Sequence, residues 1–325
     1  TCGWYDGALP QCLLSFAAVK DLGRGPARRP HLLIGPWIHG HMGVGWSTVL
    51  GEMEFGMAAS SSSIDFATDY TQLHLDWFNH WLKGVDNGVD RRPPVQIFAM
   101  GENRWRTLPD WPAPGLQESP WFLQPGGRLG PAAPADATSA SYVYDPANPA
   151  PSLGGACWPV GRHGFGPRDQ SSLSARPDVL SYTSAPLGEP LSIAGPVSAK
   201  LWAASAAPDT DYVVRLNDIG PSGFMHNLCD GIVRARYRNS LSEPEWLKPG
   251  ELYEFHIDMW ATAHTFQPGH RVSVQVTSSN FPRWDRNLNT KDAPGAGVKG
   301  QPAQQTIWHG GACPSHVLLP VLPSE

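Results

Sequence analysis

The sequence predicts an α/β plus all-β chain, with a short α/β part first and a β-sandwich of jelly-roll type after it. Two observations carry this. The first ninety residues follow the order turn, helix, strand, loop, helix, which is the order of a βαβ unit. After Pro93-Pro94 the texture changes to short β-type runs with no helical pattern between them, the signature of a sandwich or jelly roll. The 325-residue length fits two units better than one, since single cores seldom exceed about 250 to 300 residues.

Taken in order, Gly3-Trp4-Tyr5-Asp6 reads as a turn after a strand, and Pro10 to Leu22 as a helix. His31 to Gly35 (HLLIG) is an apolar run ending in Gly-Pro, as expected of a buried parallel strand followed at once by a loop. In open α/β sheets ligands gather at the carboxyl ends of strands, so the GPWIHGHMG segment that follows is where a site is expected. From Phe66 to Lys83 the residues Phe66, Tyr70, Leu73, Trp77 and Trp81 recur at three- and four-residue steps before Gly84, which predicts an amphipathic helix with a glycine C-cap and a core-packing stripe. VQIFAM, SYVYD, VSAKLWAA, DYVVRLNDI, DGIVRARYR, LYEFHIDMW and HRVSVQVTSS are the predicted strands, and the Pro- and Gly-rich stretches between Gln124 and Pro167 are expected to be surface connections. The boundary between the units is expected near residue 112, giving 1–112 and 113–325.

Hydrophobic residues make up 41% and charged residues 16%, and 14 Trp stand among 34 Gly and 33 Pro, a composition that argues for packed, loop-rich β structure and against disorder. With a net charge of −5 there is no basic field for nucleic acid. No uncharged apolar run approaches the ~20 residues of a bilayer span, so no membrane partner is expected. Five widely spaced cysteines without a C-x-x-C pair or zinc spacing predict a reduced, cytoplasmic protein with no metal. Because the chain opens at Thr1 directly in a turn, an upstream part is expected to precede it.

A hydrolytic triad needs a histidine that moves protons and a carboxylate that holds it. In α/β-hydrolases the acid precedes the histidine, each on a loop after a late strand, and Asp6 and His39 stand in that order with room for one helix and one strand between them. From spacing alone Asp6 reads equally as an Asx-turn or helix N-cap, and His39 as a loop histidine bonded to backbone. Trp4, Tyr5, Trp37 and Trp46 flank these loops and suit either the walls of an acyl pocket or the packing of the loops.

GWYDG at 3–7 and GPWIH at 35–39 resemble the acid and histidine loops of the CocE/NonD family of esterases, acylases and Xaa-Pro dipeptidyl-peptidases. FNHWLKGVDNGV with PPVQIFAMGENRWR, DTDYVVRLNDIGPSG with GIVRARYR, and PGHRVSVQVTSSNFPRWDRNLNT extend the resemblance over nearly the whole chain in order. It implies the C-terminal part of an α/β-hydrolase domain followed by a jelly-roll β-sandwich of Xaa-Pro dipeptidyl-peptidase type. It also implies Asp6 as the triad acid and His39 as the base, and these two positions only; Trp4, Tyr5 and Trp37 are candidate substrate-side aromatics from their place beside the loops alone. His41 does not match the motif.

The family nucleophile belongs to an upstream G-x-S-Y-x-G turn, and no G-x-S-x-G occurs here; Ser15, Ser47 and Ser60–Ser63 lack that strand-to-helix elbow. The oxyanion donors are expected upstream as well, so the fragment alone is expected to be inactive. Where alpha-amino ester hydrolases of the family carry carboxylates after the acid, this chain has Ala8 and Leu9. Asp209, Asp211 and Asp218 lie in a segment whose family pattern is structural rather than metal-binding, and 281–289 is expected to contact the hydrolase domain.

The implied activity is cofactor-free hydrolysis of a small ester or amide through a Ser-His-Asp acyl-enzyme. Xaa-Pro dipeptidyl-peptidase action on a short peptide is the alternative, and a non-catalytic binding or structural module is the alternative of another class. A homodimer is compatible with each.

Overall fold

The structure is a computed structural model that describes residues 1–25, 29–40, 48–157 and 164–323. His41, Trp46 and Ser47 lie outside the described residues. The first strand β1 (Cys2–Gly3) runs into the turn at Asp6, helix α1 (Leu9–Leu22) follows, and β2 (Leu32–Gly35) pairs with β1 in parallel, Cys2 opposite Ile34. All four residues of β2 are buried, as its unbroken apolar run requires of a central parallel strand. A two-stranded ribbon of β3 (Val49–Leu50) and β4 (Met53–Glu54) precedes helix α2 (Tyr70–Lys83). β5 (Val95–Ala99) then adds parallel to β2, and β6 (Arg104–Leu108) closes the sheet antiparallel, giving the order β1-β2-β5-β6.

Helix α2 differs from the expected Phe66–Lys83. It starts at Tyr70 because Asp69 caps it, its carboxylate accepting the Gln72 N–H at 2.8 Å, while Asp65 and Phe66 adopt left-handed backbone that a helix cannot contain. Gly84 is the C-cap in left-handed conformation, as expected. The stripe meets the core only at its N-terminal end: Tyr70 and Leu73 pack against it partly buried, no residue of α2 is fully buried, and Phe78 and Trp81 are exposed.

The rest of the described chain is almost wholly β. Its strands are β7 (Gln117–Gln124), β8 (Arg128–Gly130), β9 (Thr138–Tyr144), β10 (Leu180–Thr183), β11 (Leu191–Ser205), β12 (Asp211–Ile219), β13 (Met225–Arg234), β14 (Tyr253–Phe266), β15 (Arg271–Thr277), β16 (Ala303–His309) and β17 (His316–Val321). They form one sheet in the order β13-β12-β15-β10-β8-β7-β17-β11-β16-β9, with β14 paired to β11. β14 also packs on β12 and β13, with which it shares no ladder, so the sheet folds over an apolar interior of Tyr212, Val214, Phe255, Ile257, Val274 and Val276. A four-residue helix, α3 (Ser171–Ser174), leads into β10.

The segment from Pro149 to Ala156 is not a surface connection as expected. Ala150, Ser152 and Ala156 are buried, and the Ser152 N–H donates to the Phe281 carbonyl. Glycine makes this close approach feasible, since a Cβ on Gly154 would sit 2.3 Å from the Gly166 oxygen.

The small sheet and the large one are joined by backbone. Met100, just after β5, donates to Ala263 and accepts from Thr265 of β14, and Gly101 lies so close that a Cβ would sit 2.2 Å from the Thr265 oxygen.

Candidate functional site

β1 and β2 are parallel neighbours, so the loops leaving their carboxyl ends emerge side by side. Two further hydrogen bonds continue the pairing beyond the strands: Trp4 N–H donates to the Gly35 carbonyl and Tyr5 N–H to the Trp37 carbonyl, both at 2.9 Å. This brings Asp6 and His39 together across 33 residues of sequence, with His39 Nδ1 3.3 Å from Asp6 Oδ1 and 3.4 Å from Oδ2. Asp6 is buried, whereas the His39 side chain is 45% exposed, so the carboxylate lies behind an imidazole whose outer part can be reached.

Asp6 Oδ1 also accepts the Ala8 N–H at 2.8 Å, an Asx-turn at the entry to α1. One carboxylate therefore makes the Asx-turn and the contact with His39 together. A carboxylate on Nδ1 that is anchored by a backbone N–H is the arrangement that fixes a histidine's tautomer and leaves Nε2 for chemistry.

The three aromatics are buried, and each polar atom is bonded within the protein. Trp4 Nε1 donates to the Phe98 carbonyl at 2.8 Å, and Trp37 Nε1 to the Ala59 carbonyl at 2.7 Å. The Tyr5 hydroxyl meets His226 and the Asn227 carbonyl of β13. Gly7, next to Asp6, instead opens on a cavity of about 320 Å³ lined also by Cys157, Trp260, Pro282, Arg283 and Trp284.

The 281–289 segment is tied chiefly into the β part. Arg283 pairs with Asp230 and stacks on Trp260 and Trp284, and Asn287 donates to Asp209 and Asp211. Asp209 and Asp211 are further engaged by Arg236 and Arg234, and Asp218 by His264 and His270. No group of three or more His, Cys, Asp or Glu placed to hold a metal occurs among the described residues, and all five cysteines are free thiols. Among the described residues no helix is long and apolar enough to cross a membrane.

Sequence reasoning missed His226. It lies in a run of four buried residues, Met225 to Leu228, with no alternation to single it out, and nothing in sequence pairs it with Tyr5.

Comparison with known proteins bears on this geometry. Residues 87–318 match the family described as the X-Pro dipeptidyl-peptidase C-terminal non-catalytic domain. Over 99% of its length the chain is 39% identical to cocaine esterase of Rhodococcus sp. (strain MB1 Bresler). The chain belongs to the CocE/NonD hydrolase family. Solved structures similar to this CocE/NonD chain include the following. An aminopeptidase of a marine sediment Thaumarchaeota archaeon is 27% identical with a TM-score of 0.83 over 99% of the chain. An alpha-amino acid ester hydrolase is 32% identical with a TM-score of 0.80 over 98%. The chain spans about half the length of these proteins: 56% of the cocaine esterase and 54% of each solved structure.

Proposed function

We propose that this chain supplies the acid and the base of a Ser-His-Asp hydrolase whose nucleophile and oxyanion donors lie on an upstream part of the same protein. The observation that carries the reading is the Asp6–His39 contact, made by neighbouring loops at the carboxyl ends of parallel strands. In it a serine attacks an ester or amide carbonyl, His39 takes the serine proton and returns it to the leaving group, and Asp6 holds His39. Residues 1–112 are the C-terminal part of an α/β-hydrolase domain, a division supported by the four-stranded sheet ending at Leu108, and 113–325 are a jelly-roll β-sandwich.

The burial of Trp4, Tyr5 and Trp37 supports a role in holding the two loops, which leaves substrate walls to other residues. With Ala8 and Leu9 after the acid, the acid loop carries no carboxylate for a substrate ammonium, which favours a neutral acyl group. Esterase or acylase activity is therefore placed before Xaa-Pro dipeptidyl-peptidase activity. The latter draws its support from the domain matched by residues 87–318.

The test uses the complete gene product with p-nitrophenyl esters and Xaa-Pro anilides. His39→Ala and Asp6→Asn should each lower turnover by roughly three to six orders of magnitude. Turnover indifferent to His39 would leave a non-catalytic binding module.

A further inference from the structure

Tyr5 lies one residue before the candidate acid, and its ring spans from the acid loop to the start of β13. Its buried hydroxyl has two partners, His226 Nε2 at 2.7 Å and the Asn227 backbone oxygen at 2.8 Å. A carbonyl oxygen only accepts, so the hydroxyl proton goes to Asn227, and His226 must then donate to the tyrosine oxygen from Nε2. The geometry thereby selects the Nε2–H tautomer of a neutral imidazole. Burial enforces that neutrality, pushing the His226 pKa down to about 3. Phe55 and His264 flank the His226 ring, with centroids 6.4 and 5.7 Å away, so it has little freedom to turn.

The same strand end holds a second segment. Asn227 Oδ1 accepts the Arg168 N–H at 2.6 Å. On the acid-loop side, Tyr5 N–H is bonded to Trp37, two residues before His39. Tyr5 is thus pinned at both ends, by its backbone to the histidine loop and by its hydroxyl to the β part.

We propose that Tyr5 and His226 are a positioning pair through which the β part sets the Asp6 carboxylate against His39; this rests on the reading of those two residues as acid and base. Neither residue needs to touch substrate. Their effect is on the register of the carboxylate, where a misplacement of about 1 Å can cost ~100-fold in rate.

The experiment measures kcat and KM for a p-nitrophenyl ester on the complete gene product, beside the melting temperature. Tyr5→Phe and His226→Leu should each lower kcat by about 10- to 100-fold, with KM changed less than about 2-fold. His226→Gln, whose amide N–H can replace Nε2–H as donor, should recover most of that loss. The proposal is overturned if the folded Tyr5→Phe and His226→Leu variants keep wild-type kcat. It is equally overturned if the losses follow the melting temperature and Gln does not rescue them. His39→Ala and Asp6→Asn are run in parallel: if these remain active, the acid–base reading itself has failed, a result distinct from failure of the positioning pair alone.

Discussion

Gly3 has no room for a side chain, because a Cβ there would sit 2.1 Å from the Trp37 carbonyl oxygen, and at Gly35 it would meet the Trp37 ring at 2.3 Å. These two glycines let the acid and histidine loops lie flat on each other, which is what keeps Asp6 within reach of His39. Gly3→Ala should destabilise the protein by about 1 to 3 kcal/mol, read as a lowered urea midpoint, because the clash is with backbone that cannot rotate away. An unchanged midpoint would mean that the loops are not in this contact. Asp6 and His39 were legible as candidates in sequence, in the order acid then base. That they meet was not, since spacing alone left each with an equally good local explanation. The Asx-turn explanation of Asp6 turns out to be true at the same time.

At the scale of elements, the parallel β1-α1-β2 order follows from an apolar run, a helix and a closing Gly-Pro. Helix α2 was legible in its period and its C-cap, but not in its partner. Its Leu75, Phe78, Trp81 and Leu82 are all exposed, an apolar stripe of the kind that a solvent-facing helix does not carry. Within this chain the stripe contributes little to stability. Phe78→Lys with Leu82→Lys should therefore shift the urea midpoint of residues 1–325 by no more than about 0.5 kcal/mol equivalent, while lowering the binding of a hydrophobic dye. A large loss of stability would mean that Phe78 and Leu82 are packed within the chain.

At the scale of the whole molecule, the large sheet buries polar residues that charge badly. His226 is buried with its pKa at about 3, against an ordinary 6.5, and burial lowers His309 in the same direction. Between those values the unfolded chain binds more protons than the native one, so stability is full above about pH 6.5 and falls as the pH drops, by up to about 1.4 kcal/mol per pH unit for one such group. Asp218 acts lower down. Burial alone would raise it, but its bonds to His264 and His270 outweigh this and leave it lowered, so its stabilisation is lost only as pH falls below the ordinary carboxylate range. Urea midpoints at pH 7 and pH 4.5 should differ clearly in the wild type and less in His226→Gln; equal pH dependence would show that His226 titrates freely.

The sequence by itself determined most of the kinds of element, the family, and the two residues that could be acid and base, because each of these is written in local pattern or motif; the texture change after Pro93-Pro94 did not mark the end of the small sheet, which continues through β5 and β6. Only the tertiary structure decided that the stretch around Ser152 is interior, that α2 starts at Tyr70, that Trp4, Tyr5 and Trp37 are enclosed, and that His226 reaches the acid loop. Those features depend on pairings between residues far apart in the chain, 221 positions in the case of Tyr5 and His226. Periodicity reports which face of an element is apolar, but it does not report what will cover that face.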